Sequence, residues 1–214
     1  MVLLVNEIFH SIQGESTYSG RPCIFVRLTG CNLRCSYCDT RYAYEEGVRM
    51  EISEIIDRVA GYKCPLIEIT GGEPLLQSET PLLIYRLIEN GYEVMMETNG
   101  SLDISSVDGR CIKIVDIKCP TSSESDKNDL ENLKRLNPKD QVKFVIGSRK
   151  DYEYAKETIE LIHPGFPMDQ ILFSPVSGEM APAKLAEWML EDSLNVRLHL
   201  QLHKIIWPSK EKGV

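Results

Sequence analysis

The chain has 214 residues, of which 43% are hydrophobic and 26% are charged, and this length and composition indicate one compact domain with a sizeable core. The 24 Lys and Arg against 32 Asp and Glu give a net charge of -8, so nucleic acid is not expected as the main partner, because no cation excess is present to neutralise phosphates. The first residues lack the pattern of a signal peptide, and no apolar run approaches the roughly 18 residues of a membrane helix, so we expect a cytoplasmic protein that binds no membrane.

Short apolar and β-branched runs alternate with longer amphipathic stretches, which predicts strand–helix units around a parallel sheet. In chain order, the predicted strands span residues 23–28, 66–70, 93–97, 112–117, 141–146, 170–173 and 196–201. The predicted helices span residues 53–60, 80–89, 126–136, 151–162 and 182–190. Residues 1–22 are predicted as a lead-in to the first strand rather than as a strand.

The number of strand–helix units indicates the fold class. A complete eight-stranded barrel typically takes about 250 residues, so this shorter chain predicts a partial, open TIM-like barrel of about six or seven mostly parallel strands with helices outside. A flavodoxin-like open sheet is the main alternative. No linker divides the chain, which predicts a single domain over residues 1–214. In either fold we expect the chemistry at the carboxyl ends of the strands.

Three of the seven cysteines follow the first predicted strand with the spacing C-x3-C-x2-C, at Cys31, Cys35 and Cys38. Three thiolates on one loop can bind three irons of a 4Fe-4S cluster and leave the fourth iron open for a substrate or cofactor. The alternative is a zinc knuckle with a distant fourth ligand such as His10 or Cys64, although the second half-site of such a knuckle is missing. The other cysteines occur singly, as small buried hydrophobic residues do.

A Gly-Gly-Glu-Pro segment, residues 71–74, follows the second predicted strand. Its glycines allow the backbone to approach a ligand closely, and Glu73 offers a carboxylate to an ammonium group. Taken alone, the segment is also typical of an ordinary turn that carries one charge.

The cysteine triplet, with Tyr37 before its last cysteine, together with the Gly-Gly-Glu-Pro segment resembles the signature of the radical S-adenosylmethionine superfamily. Further segments resemble the family of 7-carboxy-7-deazaguanine synthases over nearly the whole chain. They are Ile12-Gln-Gly-Glu15, Gly20-Arg-Pro22, Cys38-Asp-Thr40, Glu97-Thr-Asn-Gly100, Gln141-Val-Lys-Phe144 and Gln201-Leu-His-Lys204.

This resemblance implies a radical carbon–nitrogen lyase that uses a 4Fe-4S cluster, S-adenosylmethionine and Mg²⁺. The implied reaction converts 6-carboxy-5,6,7,8-tetrahydropterin to 7-carboxy-7-deazaguanine with loss of ammonia, in the biosynthesis of queuosine. The resemblance also implies a homodimer, and a flavodoxin or ferredoxin as the electron donor.

The same resemblance assigns roles to individual residues. Cys31, Cys35 and Cys38 would bind the cluster, and Thr40 would bind Mg²⁺. The residues expected to bind S-adenosylmethionine are Tyr37, Cys38, Asp39, Gly72, Glu73, Asp116, Ile117, Lys118 and Ser174. The residues expected to bind the substrate are Ile12, Gln13, Gly14, Glu15, Arg27, Thr70 and His203, so the lead-in 1–22 contributes to the substrate site.

One departure and two alternatives remain at this point. In some relatives the terminal carboxylate contacts the substrate, whereas here residues 208–214 follow the matching region, which leaves that contact open. An activating enzyme that makes a glycyl radical on a partner protein has the same cysteine spacing but needs a large docking face, whereas the pterin enzyme needs a small pocket that contains Gln13 and Arg27. A non-enzymatic metal-binding module is the second alternative.

Overall fold

The computed structural model describes residues 1–210 and 212–214. In these residues a sheet of nine strands forms the framework, in the order β3-β1-β2-β4-β5-β6-β7-β8-β9. The strands are β1 Val2–Ile12, β2 Pro22–Leu28, β3 Val48–Glu51, β4 Leu66–Gly71, β5 Glu93–Thr98, β6 Ile112–Ile117, β7 Gln141–Ile146, β8 Ile171–Pro175 and β9 Arg197–Leu198. The helices include α1 Ile52–Ala60, α2 Thr80–Glu89, α3 Arg149–Ile159, α4 Pro182–Glu191 and α5 Leu202–Ile206.

The order of the strands decides between the two predicted architectures. From β2 through β9, each new strand lies parallel to the previous strand of the series and on the same side of it. A flavodoxin-like sheet would instead reverse its strand order at a switch point. The sheet therefore curls in one direction as a barrel does, but it is not closed, since β3 and β9 are its two edges in the described residues. The prediction of a partial, open barrel is confirmed.

The prediction of a lead-in over residues 1–22 is wrong for its first half, because β1 is a long strand that pairs antiparallel with β2 and β3. The register of β1 against β2 shifts between Val5 and Glu7. Before the bulge the buried side chains are at odd-numbered positions, Leu3 and Val5, and after it the buried side chain is at Ile8. The bulge therefore interrupts the alternation of buried and exposed residues by which a strand is recognised in a sequence.

The predicted helix at 126–136 is also wrong, because the structure has two short 3₁₀ segments there, Ser125–Lys127 and Leu130–Lys134. The polar side chains of this stretch bond to backbone groups instead of leaving the backbone to form an α-helix. Asp129 accepts from the backbone N–H of Glu131, and Asn132 donates to Gly100 O at 3.1 Å and to Leu102 O at 2.8 Å.

Apolar side chains fill the space between the sheet and the helices in two clusters, one around β1 to β5 and one around β6 to β8. In β4, Ile67 and Ile69 belong to the first cluster, whereas the intervening Glu68 and the following Thr70 line a cavity inside the curled sheet. The alternation of a strand thus gives the barrel an apolar outer face and a polar inner face. None of the helices in the described part of the chain has the length and apolar character needed to span a membrane.

A buried ion pair lies at the amino end of the sheet, opposite the end that carries the cysteine loop. Lys113 Nζ lies 3.0 Å from Asp140 Oδ2, and both side chains are almost fully buried. Asp140 also accepts hydrogen bonds from the backbone N–H groups of Lys113 and Asn137, at 2.9 and 2.8 Å. This carboxylate therefore joins the start of β6 to the turn before β7.

We expect Asp140→Ala to lower the free energy of unfolding by about 3–5 kcal/mol, because it leaves a buried ammonium without a partner. Urea unfolding monitored by circular dichroism measures the change. Asp126→Ala is the matched control, since Asp126 forms an exposed pair with Lys127 and its loss should leave the stability unchanged. Equal stability of the two variants would contradict the prediction.

Candidate active site

A cavity of about 740 Å³ occupies the interior of the curled sheet. Successive parallel strands each contribute inward-facing side chains to it, from Arg27 on β2 to Lys143 on β7. The loop after β2, which carries the cysteines, lines the carboxyl end. Residues 12–15 line the cavity from the amino end, where Ile12 pairs with Pro22 at the start of β2.

Most of the residues predicted from the sequence lie in this one cavity. The predicted residues that line it are Ile12, Gln13, Gly14, Glu15, Arg27, Cys31, Cys35, Tyr37, Cys38, Asp39, Thr40, Thr70, Gly72, Asp116, Lys118 and His203. The predicted residues outside its lining are Glu73, Ile117 and Ser174, all of them buried. Ser174 lies in β8, and the residues just after this strand, Val176 and Ser177, line the cavity instead.

The three thiols of the cysteine loop face the cavity and are all half-buried. Hydrogen-bond donors surround Cys31 Sγ, namely the backbone N–H of Leu33 at 3.4 Å and Asn99 Nδ2 at 3.8 Å. Such donors stabilise the negative charge of a thiolate that is bound to iron. Burial raises the pKa of Cys35 to about 11, so the binding of iron would displace the thiol proton.

The fourth ligands proposed for a zinc knuckle lie elsewhere. His10 is on β1 and packs against the ring of Tyr62 at 5.9 Å between ring centroids. The Cys64 thiol donates to Pro22 O at 3.4 Å, at the amino end of the sheet and therefore opposite the cysteine loop. No group of three Cys, His, Asp or Glu side chains within residues 1–210 and 212–214 is gathered around a single-ion site. Neither residue proposed as a fourth zinc ligand therefore lies beside the cysteine triplet.

Gly72 brings the Gly-Gly-Glu-Pro segment against the cysteine loop. A Cβ atom at this position would lie 2.2 Å from Gly30 O and 2.7 Å from Cys31 Cβ, which is closer than atoms can approach. The backbone N–H of Glu73 donates to Gly30 O at 2.8 Å and holds the two segments together. The absence of a side chain at residue 72 is therefore required for this packing.

Glu73 holds this region together from outside the cavity. Its Oε1 accepts from the backbone N–H of Leu75 at 2.9 Å, and its Oε2 accepts from the backbone N–H of Asn99 at 2.7 Å. The hydroxyl of Thr98 lies 2.9 Å from both oxygens, and the carboxylate is fully buried. The structure therefore shows Glu73 joining the end of β4 to the end of β5, and its predicted contact with S-adenosylmethionine stays a prediction.

Two buried polar atoms at the carboxyl end of the cavity lack a hydrogen-bond partner among the described residues, namely Tyr37 Oη and Asp116 Oδ1. The other oxygen of Asp116 lies 2.8 Å from Lys118 Nζ, which orients this carboxylate. Buried polar atoms are nearly always paired in native proteins, so these two indicate a polar ligand beside the cysteine loop. The hydroxyl and amino groups of S-adenosylmethionine are suitable partners for them.

Lys143 is the centre of the charge arrangement in the cavity. Its buried ammonium lies 2.6 Å from Glu15 Oε2, 2.5 Å from Glu97 Oε1 and 3.5 Å from Asp116 Oδ2. Burial by itself would raise the pKa of Glu15, but Lys143 outweighs burial and holds this pKa well below its ordinary value of 4.5. For Glu97, burial prevails and the pKa is raised despite Lys143.

Arg27 at the end of β2 is held by one edge and leaves the other edge for a ligand. Its Nε donates to Glu7 Oε1 at 2.8 Å, and the hydroxyl of Tyr42 donates to the same oxygen at 3.0 Å. The rings of Phe9 and Tyr42 flank the guanidinium, each with its centroid 5.8 Å from Cζ. The two terminal amino groups therefore form a fixed fork suited to a carboxylate.

The region around His203 packs onto the loop after β1. A Cβ atom at Gly14 would lie 2.1 Å from His203 Nδ1, so only glycine permits this contact. The backbone N–H of Leu202 donates to Gly14 O at 2.8 Å, and Gln201 Nε2 donates to Glu15 Oε1 at 2.7 Å. Burial lowers the pKa of His203, which favours a neutral imidazole at physiological pH.

Thr40 lies at the cavity wall beside a charged pair. Its hydroxyl donates to Asp39 Oδ1 at 2.9 Å, while Asp39 Oδ2 lies 2.6 Å from Lys204 Nζ. The predicted Mg²⁺ site at Thr40 therefore has oxygen atoms of two adjacent residues, and it stays a prediction. Farther along the chain, Pro208, Lys210 and Val214 line the same cavity, so the tail that sequence analysis left open does reach this site.

The cavity is also lined by four residues that were not predicted from the sequence, namely Glu68, Glu97, Lys143 and Gln201. Three of them are charged residues of predicted strands that are otherwise rich in apolar residues. Glu68 lies two residues before Thr70, and Lys143 lies directly across the sheet from Asp116. A charged residue within an otherwise apolar strand is the sequence signal that could have predicted these cavity residues, because buried strands rarely contain unpaired charges.

Comparison with known proteins agrees with this geometry. The sequence pattern of the Radical SAM superfamily matches residues 25–188 of the chain. An open parallel barrel with a cysteine triplet at its carboxyl end defines the class of radical S-adenosylmethionine enzymes.

Close relatives narrow the class. A 7-carboxy-7-deazaguanine synthase of Koribacter versatilis is 45% identical over 98% of this chain and 99% of its own length, and one of Chlorobaculum tepidum is 46% identical over 99% and 97%. The crystal structure of QueE from Escherichia coli matches with a TM-score of 0.80 at 25% identity, over 95% of both chains. The chain belongs to the Radical SAM superfamily and, within it, to the family of 7-carboxy-7-deazaguanine synthases. The predicted 4Fe-4S cluster and S-adenosylmethionine are confirmed as the cofactors of this family.

We expect Gly72→Ala to impair cluster and cofactor binding, because its Cβ atom would push the cysteine loop away. Iron content per chain after anaerobic reconstitution and the rate of S-adenosylmethionine cleavage measure the effect, and the rate should fall about 100-fold. Gly109→Ala is the matched control, since no atom lies within 4 Å of its added Cβ. Normal iron content and normal cleavage in Gly72→Ala would refute the close-packing argument.

We expect Lys143→Met to lower the free energy of unfolding by about 3–5 kcal/mol near neutral pH, because it leaves buried carboxylates unpaired. In the wild type, the lowered pKa of Glu15 gives stability that is present above its ordinary value of 4.5 and is lost as the pH falls through the lowered value. In the variant, burial alone raises this pKa, so ionisation costs stability as the pH rises. The difference between the two proteins should therefore grow as the pH rises above about 4.5, the ordinary pKa of a glutamate.

Chemical denaturation at several pH values measures this difference. Lys134→Met is the control, because Lys134 forms only an exposed pair with Glu131. A difference that is constant over this pH range would show that Lys143 does not control the ionisation of the cavity.

Proposed function

We propose that this chain converts 6-carboxy-5,6,7,8-tetrahydropterin to 7-carboxy-7-deazaguanine with loss of ammonia, as a step in queuosine biosynthesis. The observation that carries the proposal is that the cysteine triplet, Gln13 and Arg27 line one cavity of about 740 Å³. A cavity of this volume suits a small substrate together with a nucleoside cofactor, whereas a glycyl-radical activating enzyme needs a docking face for a protein.

The cofactors would be bound at the carboxyl end of the barrel. Cys31, Cys35 and Cys38 would hold the cluster, and Tyr37, Asp116 and Lys118 would contact S-adenosylmethionine. When bound, the two cofactors supply one-electron chemistry that removes a hydrogen atom from the substrate. The chain itself must place the substrate carbon that bears this hydrogen next to the cysteine loop and keep water away from it.

Arg27 would orient the substrate through its carboxylate. The Glu7 carboxylate and the ring of Tyr42 fix the guanidinium, so its free fork points into the cavity without further ordering on binding. Thr70 lies beside Arg27 on the neighbouring strand and would contact the same end of the substrate. Thr40 would contribute its hydroxyl to a Mg²⁺ ion that also binds the substrate carboxylate.

The loop 12–15 and the segment 201–203 would enclose the pterin ring at the other end of the cavity. Gln13, Glu15 and His203 supply acceptors and donors there, and Gly14 allows the backbone to approach the ring. Both oxygens of Glu15 already accept from Lys143 and Gln201, so Glu15 would act chiefly by holding these two side chains in place.

We extend the proposal to the partners and the compartment. Exposed apolar side chains cluster at edge strand β9: Leu198 lies in it, and Leu200, Ile205 and Ile206 follow it. A second subunit would cover them in a homodimer. The electron donor would be a flavodoxin or ferredoxin, and the exposed cation of Arg34 on the cysteine loop suits an acidic partner. All seven cysteines are free thiols, as expected in the reducing cytoplasm.

An anaerobic assay tests the proposed function. The reconstituted protein is incubated with S-adenosylmethionine, dithionite, Mg²⁺ and 6-carboxytetrahydropterin, and both 7-carboxy-7-deazaguanine and 5′-deoxyadenosine are quantified. We expect product from the wild type, no product from Cys35→Ala, which loses a ligand of the cluster, and unchanged product from Cys64→Ala, whose thiol lies at the opposite end of the sheet.

The two products distinguish the alternatives. Deoxyadenosine without deazapurine would keep the radical chemistry but reject the pterin substrate. Neither product from an iron-loaded protein would reject the enzyme and favour a metal-binding module.

A further inference from the structure

Glu68 is a buried acid whose role is not explained by cluster or cofactor binding. It lies in the middle of β4, lines the cavity and is 4% exposed. In the described part of the chain, its side chain has a single hydrogen-bond partner, the Gln13 amide, which donates from Nε2 to Glu68 Oε2. Glu68 Oε1 makes no hydrogen bond to the described residues and is not fully enclosed by protein atoms. It therefore faces the open cavity.

The orientation of the Gln13 amide is fixed by a second contact. Gln13 Oε1 accepts from the backbone N–H of Glu15 at 3.0 Å, which directs Nε2 towards Glu68. Gln13 is almost fully buried, so this amide is a rigid donor. The carboxyl of Glu68 is therefore held by one oxygen, and its other oxygen is available for a ligand.

The charges around Glu68 distinguish it from the other acids of the cavity. Glu15 and Glu97 are both paired with Lys143, whereas Lys143 makes no ion pair with Glu68. Burial raises the pKa of Glu68, the Glu97 and Glu15 carboxylates raise it further, and Gln13 and Lys143 oppose them, so that it reaches about 8. Near neutral pH Glu68 is thus a neutral carboxyl group, which can donate one hydrogen bond and accept others.

Glu68 and Arg27 lie on neighbouring strands and at different depths of the same cavity. Arg27 pairs in register with Thr70, and Glu68 pairs with Phe25, one inward-facing position deeper in the barrel. A ligand whose carboxylate binds Arg27 and whose ring points away from the cysteine loop would therefore place its far edge near Glu68 and Gln13. In the proposed substrate this far edge is a pyrimidinone, which carries a lactam with an acceptor C=O next to a donor N–H.

We propose that Glu68 is the residue that recognises the lactam edge of the pyrimidinone ring: its cavity-facing Oε1 donates to the ring C=O, and its Oε2, which already accepts from Gln13, accepts the ring N–H with its second lone pair. This inference rests on the proposed function. A neutral carboxyl and a lactam are complementary, since each offers one donor and one acceptor side by side. An ionised carboxylate would instead repel the C=O group, so the environment that keeps Glu68 neutral is part of the recognition.

Two substitutions separate this role from the alternatives. Glu68→Gln keeps a neutral donor and acceptor of the same shape, whereas Glu68→Leu removes both. We expect Glu68→Gln to keep the KM for 6-carboxytetrahydropterin and the Kd for 7-carboxy-7-deazaguanine within about 3-fold of the wild type, and Glu68→Leu to raise both about 30-fold. Met95→Leu is the matched control, because Met95 lies directly across from Glu68 on β5 but does not line the cavity.

Kinetics under anaerobic conditions give the KM, and titration calorimetry with the product gives the Kd. A third measurement uses the wild type alone: the analogue of the product that lacks the lactam oxygen should bind about 30-fold more weakly. Thermal unfolding shows whether Glu68→Leu folds. If it does not, the comparison of the two ligands on the wild type still tests whether the lactam oxygen is recognised.

Each outcome has a definite meaning. If Glu68→Gln is as impaired as Glu68→Leu, Glu68 acts as an anion and the inference is wrong. If Glu68→Leu matches the wild type, or if the wild type binds the deoxo analogue as tightly as the product, Glu68 does not read the lactam. These results leave the proposed function intact as long as the wild type forms product; a wild type that neither turns over the pterin nor binds the product overturns both proposals.

Discussion

The buried ammonium of Lys143 is the interaction on which the rest of the site depends. It lies 2.6 Å from Glu15 of the loop after β1 and 2.5 Å from Glu97 of β5, and it faces Asp116 of β6 at 3.5 Å. Because a buried charge is costly without partners, this lysine requires carboxylates from several elements to meet at one point. That requirement joins the amino-terminal loop to the middle of the barrel and closes the cavity at the end opposite the cysteines.

The inside of the barrel is polar because of how its strands alternate. Inward positions on successive strands carry Arg27, Glu68, Glu97, Asp116 and Lys143, while the outward positions form the apolar clusters beneath the helices. The two cations are paired with different acids. Arg27 pairs with Glu7 of β1, whereas Lys143 pairs with Glu15 and Glu97. Glu68 forms no ion pair, and burial together with the neighbouring Glu97 carboxylate raises its pKa, which distinguishes this wall of the cavity from the others.

Segments far apart in the sequence meet over the cavity. The side chain of Gln201 bonds to Glu15, His203 lies against Gly14, and Lys204 pairs with Asp39 of the cysteine loop. A few hydrogen bonds and half-buried side chains hold this region, whereas strands β4 to β8 are largely buried. Local opening costs least where few apolar contacts are broken, so this region is held less firmly than the central strands.

The sequence by itself determined the features that depend on neighbouring residues. The spacing of Cys31, Cys35 and Cys38 and the strands β2 and β4 to β8 followed from local periodicity and motif, because these signals need no knowledge of distant contacts. The resemblance to a known family then implied a set of site residues, most of which line the cavity. Strand β1 was not predicted because its bulge interrupts the alternation of buried side chains. The 3₁₀ segments near Asn132 were not predicted because they depend on side-chain hydrogen bonds to distant backbone groups. The structural role of Glu73 was not predicted because its partners lie at the end of β5. The roles of Glu68 and Lys143 depend on the register of parallel strands and on which charges that register brings together. Only the tertiary structure decides this, because the energy of a buried charge is set by neighbours that the chain supplies from far along its length.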